Sequence, residues 1–258
     1  MKTIDKVNQA AELLRRAWGH AEHRLVALPP ALCPKDIGLA YAIQHTVSNS
    51  MGMIIGWKIV AIEPNTLLCA ALPLPLLRRQ GARIPWREWP TRNLRVVLCF
   101  RLGASLENYD APYSVQQAAS AIESCHVGAE AIQSRFQSEP PPSDLSFIAD
   151  SLSCGPFVTG VGMYDWQRLN LDRLPTRVLV NQREVLRRDG RAELDIARTL
   201  QWLAYLGAPR AQRPLVGQMI EIGLHIDPIS IPPGALVRVE IDGVGDVTLQ
   251  AGDDVPRS

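Results

Sequence analysis

Apolar positions recur at three- and four-residue steps through Ile4, Val7, Ala11, Leu14 and Trp18, so residues 3 to 19 are predicted to form an amphipathic helix packed on something larger. A second helix is predicted from Pro34 or Asp36 to about Met51, with proline placed in its first turn. The run Met53-Ile54-Ile55-Gly56-Trp57-Lys58-Ile59-Val60-Ala61 reads as a buried strand. Leu72-Pro73-Leu74-Pro75-Leu76 and the stretch from Ile84 to Pro90 carry too many prolines for central secondary structure and are predicted to be loops around the core.

From Leu94 onward short strands are predicted at Arg95 to Leu102, Gly128 to Ile132, Phe157 to Gly162, Arg177 to Val180, Met219 to Gly223, Leu236 to Ile241 and Asp246 to Gln250. Helices are predicted between them, from Ser114 to Ser124 and from Ala192 to Leu206. Strands with inserted helices indicate an α+β fold. Gly243-Val244-Gly245 reads as a hairpin turn, Pro140-Pro141-Pro142 as a stiff surface connection, and no internal repeat is present. The expected organisation is one compact unit, with residues 1–75 packed on a core formed by residues 76–258.

Lys58 changes the picture, because a charge inside an apolar strand needs a reason. A buried ammonium either finds a counter-charge or shifts its proton affinity, and both suit a lysine that binds an anion or moves a proton. The plainer alternative is a lysine at a strand end with its tip in water and its stem in the core.

Composition then removes whole classes of function. The 258 residues are 47% hydrophobic and 21% charged, and 27 basic against 26 acidic side chains leave a formal charge of +1. Such a chain has no electrostatic footprint for nucleic acid or an anionic membrane. The N-terminus lacks the apolar core of a signal peptide and no run is long enough to span a bilayer, so a cytoplasmic location is expected. Cys33, Cys69, Cys99, Cys125 and Cys154 are odd in number and widely spaced, which argues against a disulfide framework or a zinc site.

Three further segments keep company with the Lys58 strand: Asp36-Ile37-Gly38-Leu39-Ala40-Tyr41-Ala42-Ile43-Gln44, Ala129-Glu130-Ala131-Ile132-Gln133-Ser134-Arg135, and Phe147-Ile148-Ala149-Asp150-Ser151. In this order the chain resembles the 2-keto-4-pentenoate hydratase and 4-oxalocrotonate decarboxylase family, a branch of the fumarylacetoacetate hydrolase superfamily, from about residue 5 to about residue 250. The resemblance implies the superfamily's rolled mixed β core. It also implies a Mg or Mn ion held by a Glu-x-Glu pair and a third glutamate, matching the hard oxygen ligands such ions require.

The third glutamate corresponds to Glu130, but Arg95 and Val97 stand where the pair belongs. Shifting the register by one gives Val96 and Leu98, and the nearest acids, Glu88 and Glu107, lie outside the strand. A guanidinium 4 Å from a dication would cost about 8 kcal/mol at an effective dielectric of 20. No metal and no other cofactor is therefore expected. Arg95 either holds an anionic substrate in two hydrogen bonds or pairs with Glu130 and plugs the site.

Asp150 corresponds to an Ala-Asp-Asn motif of the family whose asparagine is Ser151 here, and Gln133 replaces the aspartate of an Asp-Ser-Arg motif that retains Arg135. Arg135 either binds substrate or buttresses a loop through backbone carbonyls. His225 ends the strand Ile220-Glu221-Ile222-Gly223-Leu224, where it is either a base or a packed residue. The expected catalytic residues are thus Lys58, Glu130 and Asp150, with Arg95, Arg135 and His225 binding substrate, and Lys58, Glu130 and Arg95 are expected to converge on one cavity. The expected partners are a small-molecule substrate and further copies of the chain.

Two functions fit these residues. One is a metal-independent lyase, isomerase or cyclase acting by proton transfer on an unsaturated carbonyl or 2-oxo acid in a specialised biosynthetic or degradative pathway. The other is a catalytically inactive hydratase paralogue that stabilises or regulates an active partner. An ordinary hydratase whose metal is held by other residues would need carboxylates that the Arg95 strand lacks. Methionine at position 58 is expected to leave folding nearly intact, since it fills a similar volume without the charge.

Overall fold

The computed structural model describes residues 3–63, 66–106, 112–138, 140–205 and 213–252. Two helices open the chain, α1 (Thr3–Ala17) and α2 (Ile37–Met51), and pack on each other. Burial of Val7, Ala11 and Leu14 confirms the apolar stripe of α1. Asp36 caps α2 by accepting a 2.8 Å hydrogen bond from the Leu39 amide, which satisfies one of the donors left open at a helix start.

Four strands follow, β1 (Ile54–Glu63), β2 (Thr66–Pro73), β3 (Leu77–Arg78) and β4 (Arg83–Ile84), and then the long pair β5 (Asn93–Leu102) and β6 (Ile122–Ala131) flanking α3 (Val115–Ser120). After α4 (Asp144–Ala149) come β7 (Phe157–Thr159), β8 (Leu174–Val180) and β9 (Arg183–Gly190). Helix α5 (Ile196–Tyr205) precedes β10 (Met219–Gly223), β11 (Ile229–Ser230), β12 (Leu236–Ile241) and β13 (Gly245–Ala251). The predicted helix end at Leu206 and the acid Glu107 lie outside the described residues.

Among the described residues the strands form two sheets. The larger runs β2-β1-β10-β5-β6-β7-β3, with β11 also on β5, and the smaller runs β4-β13-β12-β8-β9. Strands β12 and β13 lie against β6, so the smaller sheet packs on the middle of the larger one. The mixed sheets and terminal helices are an α+β architecture. Strands β1 and β2 complete the larger sheet, so residues 54–73 contribute ladder as well as packing to the core.

Strand β10 places the site. It runs parallel to β1 and antiparallel to β5, setting Lys58 opposite Glu221 and Glu221 opposite Cys99. Gly56 lets β1 come close: a methyl group there would sit 2.2 Å from the Met219 carbonyl oxygen. No helix among the described residues is long and apolar enough to cross a membrane.

Candidate functional site

Side chains of directly paired residues leave a sheet on the same face, as do alternate residues of one strand. Lys58, Glu221 and Cys99 form one row, and Arg95 pairs with Glu130 in the next strand over. Lys58, Glu221, Arg95, Val97, Cys99 and Glu130 therefore share a face although they come from four strands.

On that face Lys58 and Glu130 meet. The Lys58 ammonium donates to both Glu130 carboxylate oxygens, at 2.6 and 2.7 Å. The two side chains are 2% and 1% exposed, so the lysine has found a counter-charge and is not a strand-end residue with its tip in water. Arg95 does not pair with Glu130, which overturns the plugged-site reading. It is half-buried and has no hydrogen bond or ion pair among the described residues.

Glu221 is the residue that sequence reasoning passed over. It is buried, and neither carboxyl oxygen has a hydrogen-bond partner. Burial, reinforced by the Glu130 carboxylate, pushes its proton affinity up to a pKa of about 8 against the opposing pull of Lys58 and Arg95. Glu130 is held ionised by its two hydrogen bonds from Lys58, whereas for Glu221 burial and the Glu130 charge outweigh the two cations. The Cys99 thiol beside it is pushed up by burial and by Glu221, which makes it inert.

Asp150 and Arg135 form a separate construction. Arg135 Nε donates to Asp150 Oδ1 at 2.5 Å, Nη1 to the Cys154 carbonyl at 2.5 Å, and Nη2 to the Asp150 carbonyl. The Ser134 hydroxyl donates to Asp150 Oδ2 at 3.0 Å, and the Trp18 ring lies 4.0 Å from the guanidinium. Every arm of Arg135 is engaged within the protein, so its expected substrate-binding role is replaced by that of a clasp joining the end of α1 to the α4 turn. Asp150 is taken up by the same clasp and has no hydrogen bond to Lys58 or Glu130, so the structure supplies it a structural role beside the expected catalytic one. The turn it opens holds Ser151, Leu152 and Ser153 in succession at φ 52, 53 and 54°, a left-handed conformation that needs such outside support. Arg135→Leu is expected to lower stability by about 3–5 kcal/mol, because it leaves the buried Asp150 unpaired; urea unfolding measures it.

His225 is exposed, and its ring Nε2 lies 3.1 Å from an Arg191 nitrogen. It has no hydrogen bond to Lys58, Glu130 or Glu221, and its expected substrate-binding role stays an expectation.

These residues do not fit the metal that the family resemblance implies. Both Glu130 oxygens are bound to Lys58, and Arg95 and Val97 project where two further carboxylates would be needed. Among the described residues, three metal-ligating side chains come close together only at His20, Glu22 and His23, on the surface.

The fold finds its counterparts among known enzymes. No family model matches the chain. A 4-oxalocrotonate decarboxylase of Pseudomonas sp is 25% identical over 216 residues, 78% of this chain and 77% of that protein. The solved 4-oxalocrotonate decarboxylase from Pseudomonas putida G7, complexed with magnesium and adipate, superposes with a TM-score of 0.79 at 18% identity, over 97% of this chain and 99% of that one. The 2-hydroxyhepta-2,4-diene-1,7-dioate isomerase from Mycobacterium marinum is a more distant likeness, with a TM-score of 0.56 at 16% identity over 77% and 75% of the two chains. The fold is thus that of the fumarylacetoacetate hydrolase superfamily. In sequence the chain is similar to 4-oxalocrotonate decarboxylase, and it carries Arg95 and Val97 where the resemblance implies paired glutamates. The relatives named are enzymes.

Proposed function

We propose that the protein is a metal-independent lyase, isomerase or cyclase that moves protons on an unsaturated carbonyl or 2-oxo acid. The observation that carries this reading is the buried group of Lys58, Glu130 and Glu221, in which Glu221 has two unpartnered oxygens. A carboxylic acid that keeps its proton at neutral pH can donate a hydrogen bond to a substrate carbonyl and stabilise the negative charge that develops there. Burial and the Glu130 carboxylate keep that proton in place against the pull of Lys58. Arg95, directly opposite Glu130 and partly open to solvent, holds the substrate's anionic end in a two-pronged contact.

Elemental analysis of the purified protein is expected to find no stoichiometric Mg or Mn, and turnover is expected to survive a chelator. One tightly held divalent ion per chain, lost together with activity, would overturn metal independence. Arg95→Glu is the companion variant, expected to lose the substrate's anion contact without gaining a metal, since Lys58 still occupies Glu130.

One observation favours the second reading, an inactive paralogue that serves as a structural or regulatory partner. Lys58 and Glu130 are almost wholly sealed and bonded to each other, as a purely structural ion pair would be. Turnover by variants of that pair separates the two readings.

A further inference from the structure

Lys58 and Glu130 are bound to each other, so neither is free to take a proton from carbon. A further carboxyl belongs to Glu193. The segment before α5 pairs with the end of β10: Ala192 bridges Leu224, and the Glu193 amide donates to the Gly223 carbonyl at 2.9 Å. Glu193 is thereby set beside Gly223, two residues beyond Glu221 on the same strand and opposite Val97 on β5.

Gly223 has no side chain, and the Glu193 carboxyl fills that space. A methyl group on Gly223 would fall 2.5 Å from Glu193 Cδ and Oε2 and 2.6 Å from Oε1, so any larger residue would expel the carboxyl. Glu193 is half-buried, and its side chain has no hydrogen bond or ion pair among the described residues. The fold seats a free carboxyl over a glycine next to the position where Val97 brings no acid. An independent pointer to a ligand here is the sealed, unpartnered Glu221 carboxyl two residues away.

We propose that Glu193, seated by Gly223, is the catalytic base that removes a proton from the substrate carbon next to the carbonyl. The inference rests on the proton-transfer reading above. The Glu193 carboxylate takes the proton, and the C–H electron pair becomes the carbon–carbon double bond of an enolate. The carbonyl π pair moves onto oxygen, which accepts a hydrogen bond from Glu221. Glu193 then returns its proton to the same carbon or to the far end of the conjugated system and is regenerated, with no oxidant or co-reactant.

The test follows exchange of the C3 protons of 2-oxobutanoate in D2O by NMR. Wild type is expected to exchange them above the buffer rate. Glu193→Gln keeps the volume without the basic oxygen and should slow enzyme-dependent exchange by about a hundredfold or more, with 2-oxobutanoate binding and the melting temperature unchanged. Gly223→Ala should slow it comparably by displacing the carboxyl, and Glu193→Asp should restore part of it. Undiminished exchange in Glu193→Gln, beside lost exchange in the Lys58→Met/Glu130→Gln double variant, would overturn the role of Glu193 and leave the functional reading standing. Exchange lost together with binding or folding in Glu193→Gln would make the residue structural and also overturn the proposal. No exchange by wild type would overturn the proposal and the functional reading together.

Discussion

Replacing Lys58 with methionine is expected to destabilise the protein by about 3–5 kcal/mol, not to leave folding intact, because the change strands the Glu130 carboxylate in a dry interior. The structure revises the sequence-based expectation here: a lone buried lysine could be neutralised by methionine, but Lys58 is half of a pair closed at 2.6 and 2.7 Å. Removing both charges in Lys58→Met/Glu130→Gln is expected to recover most of the stability, since replacing a buried ion pair by well-packed neutral groups is often close to neutral. Turnover should not recover with it and should stay about a hundredfold or more below wild type. Urea unfolding and product formation at matched folded fraction give the two readings. Wild-type turnover in the double variant would remove the pair from the mechanism and leave the structural partner in front.

Glu221→Gln is expected to trade activity for stability. The Glu221 carboxyl has its pKa raised from 4.5 to about 8 in the folded protein, so the folded state binds the proton more tightly than the unfolded chain. The sign follows: stability is lost as pH rises from about 4.5 and the loss levels off above about 8. Glutamine imitates the protonated acid without the titration. The variant should match wild type in thermal melts near pH 4 and exceed it near pH 9, by an amount on the order of 4 kcal/mol. Wild-type activity should fall on the alkaline side as Glu221 ionises, and that limb should vanish in the variant. Parallel stability curves for the two proteins from acid to alkaline pH would show that Glu221 does not carry the raised affinity.

The half of the site that could be read from sequence came from one signal, a charge inside an apolar strand. That signal marked Lys58, and family resemblance marked Glu130. The same signal stands at Ile220-Glu221-Ile222, beside the more conspicuous titratable His225 at the end of the run. Glu193 could not be found this way, because its place over Gly223 arises only when the segment before α5 pairs with β10. Asp150 and Arg135 show the converse: their motif is legible, but only coordinates reveal that each is used up by the other.

Among the elements, β1, β10 and β12 match their apolar patterns closely, since each is buried on at least one face. Strand β9 carries the run Arg183-Glu184-Val185-Leu186-Arg187-Arg188 on the edge of the smaller sheet and is mostly exposed, so it lacks an alternating signature. The predicted helix from Ser114 stops at Ser120 because Ile122 and its neighbours pair with β5. Local propensity yields there to a tertiary partner.

The position of β10 between β1 and β5 also bears on how the chain is made. Hairpin pairs such as β1 with β2 and β8 with β9 can close soon after they emerge, but Gly56 must wait for Met219. Until then, β1 and β5 each present an open edge to other chains, and the long stretch of chain between β1 and β10 must be ordered before β10 can repay it with contacts. Lys58 leaves the ribosome early and gains its Glu221 neighbour late. The buried Lys58 group is therefore assembled only after β10 has emerged, and the interval before it is when the chain is most exposed to aggregation.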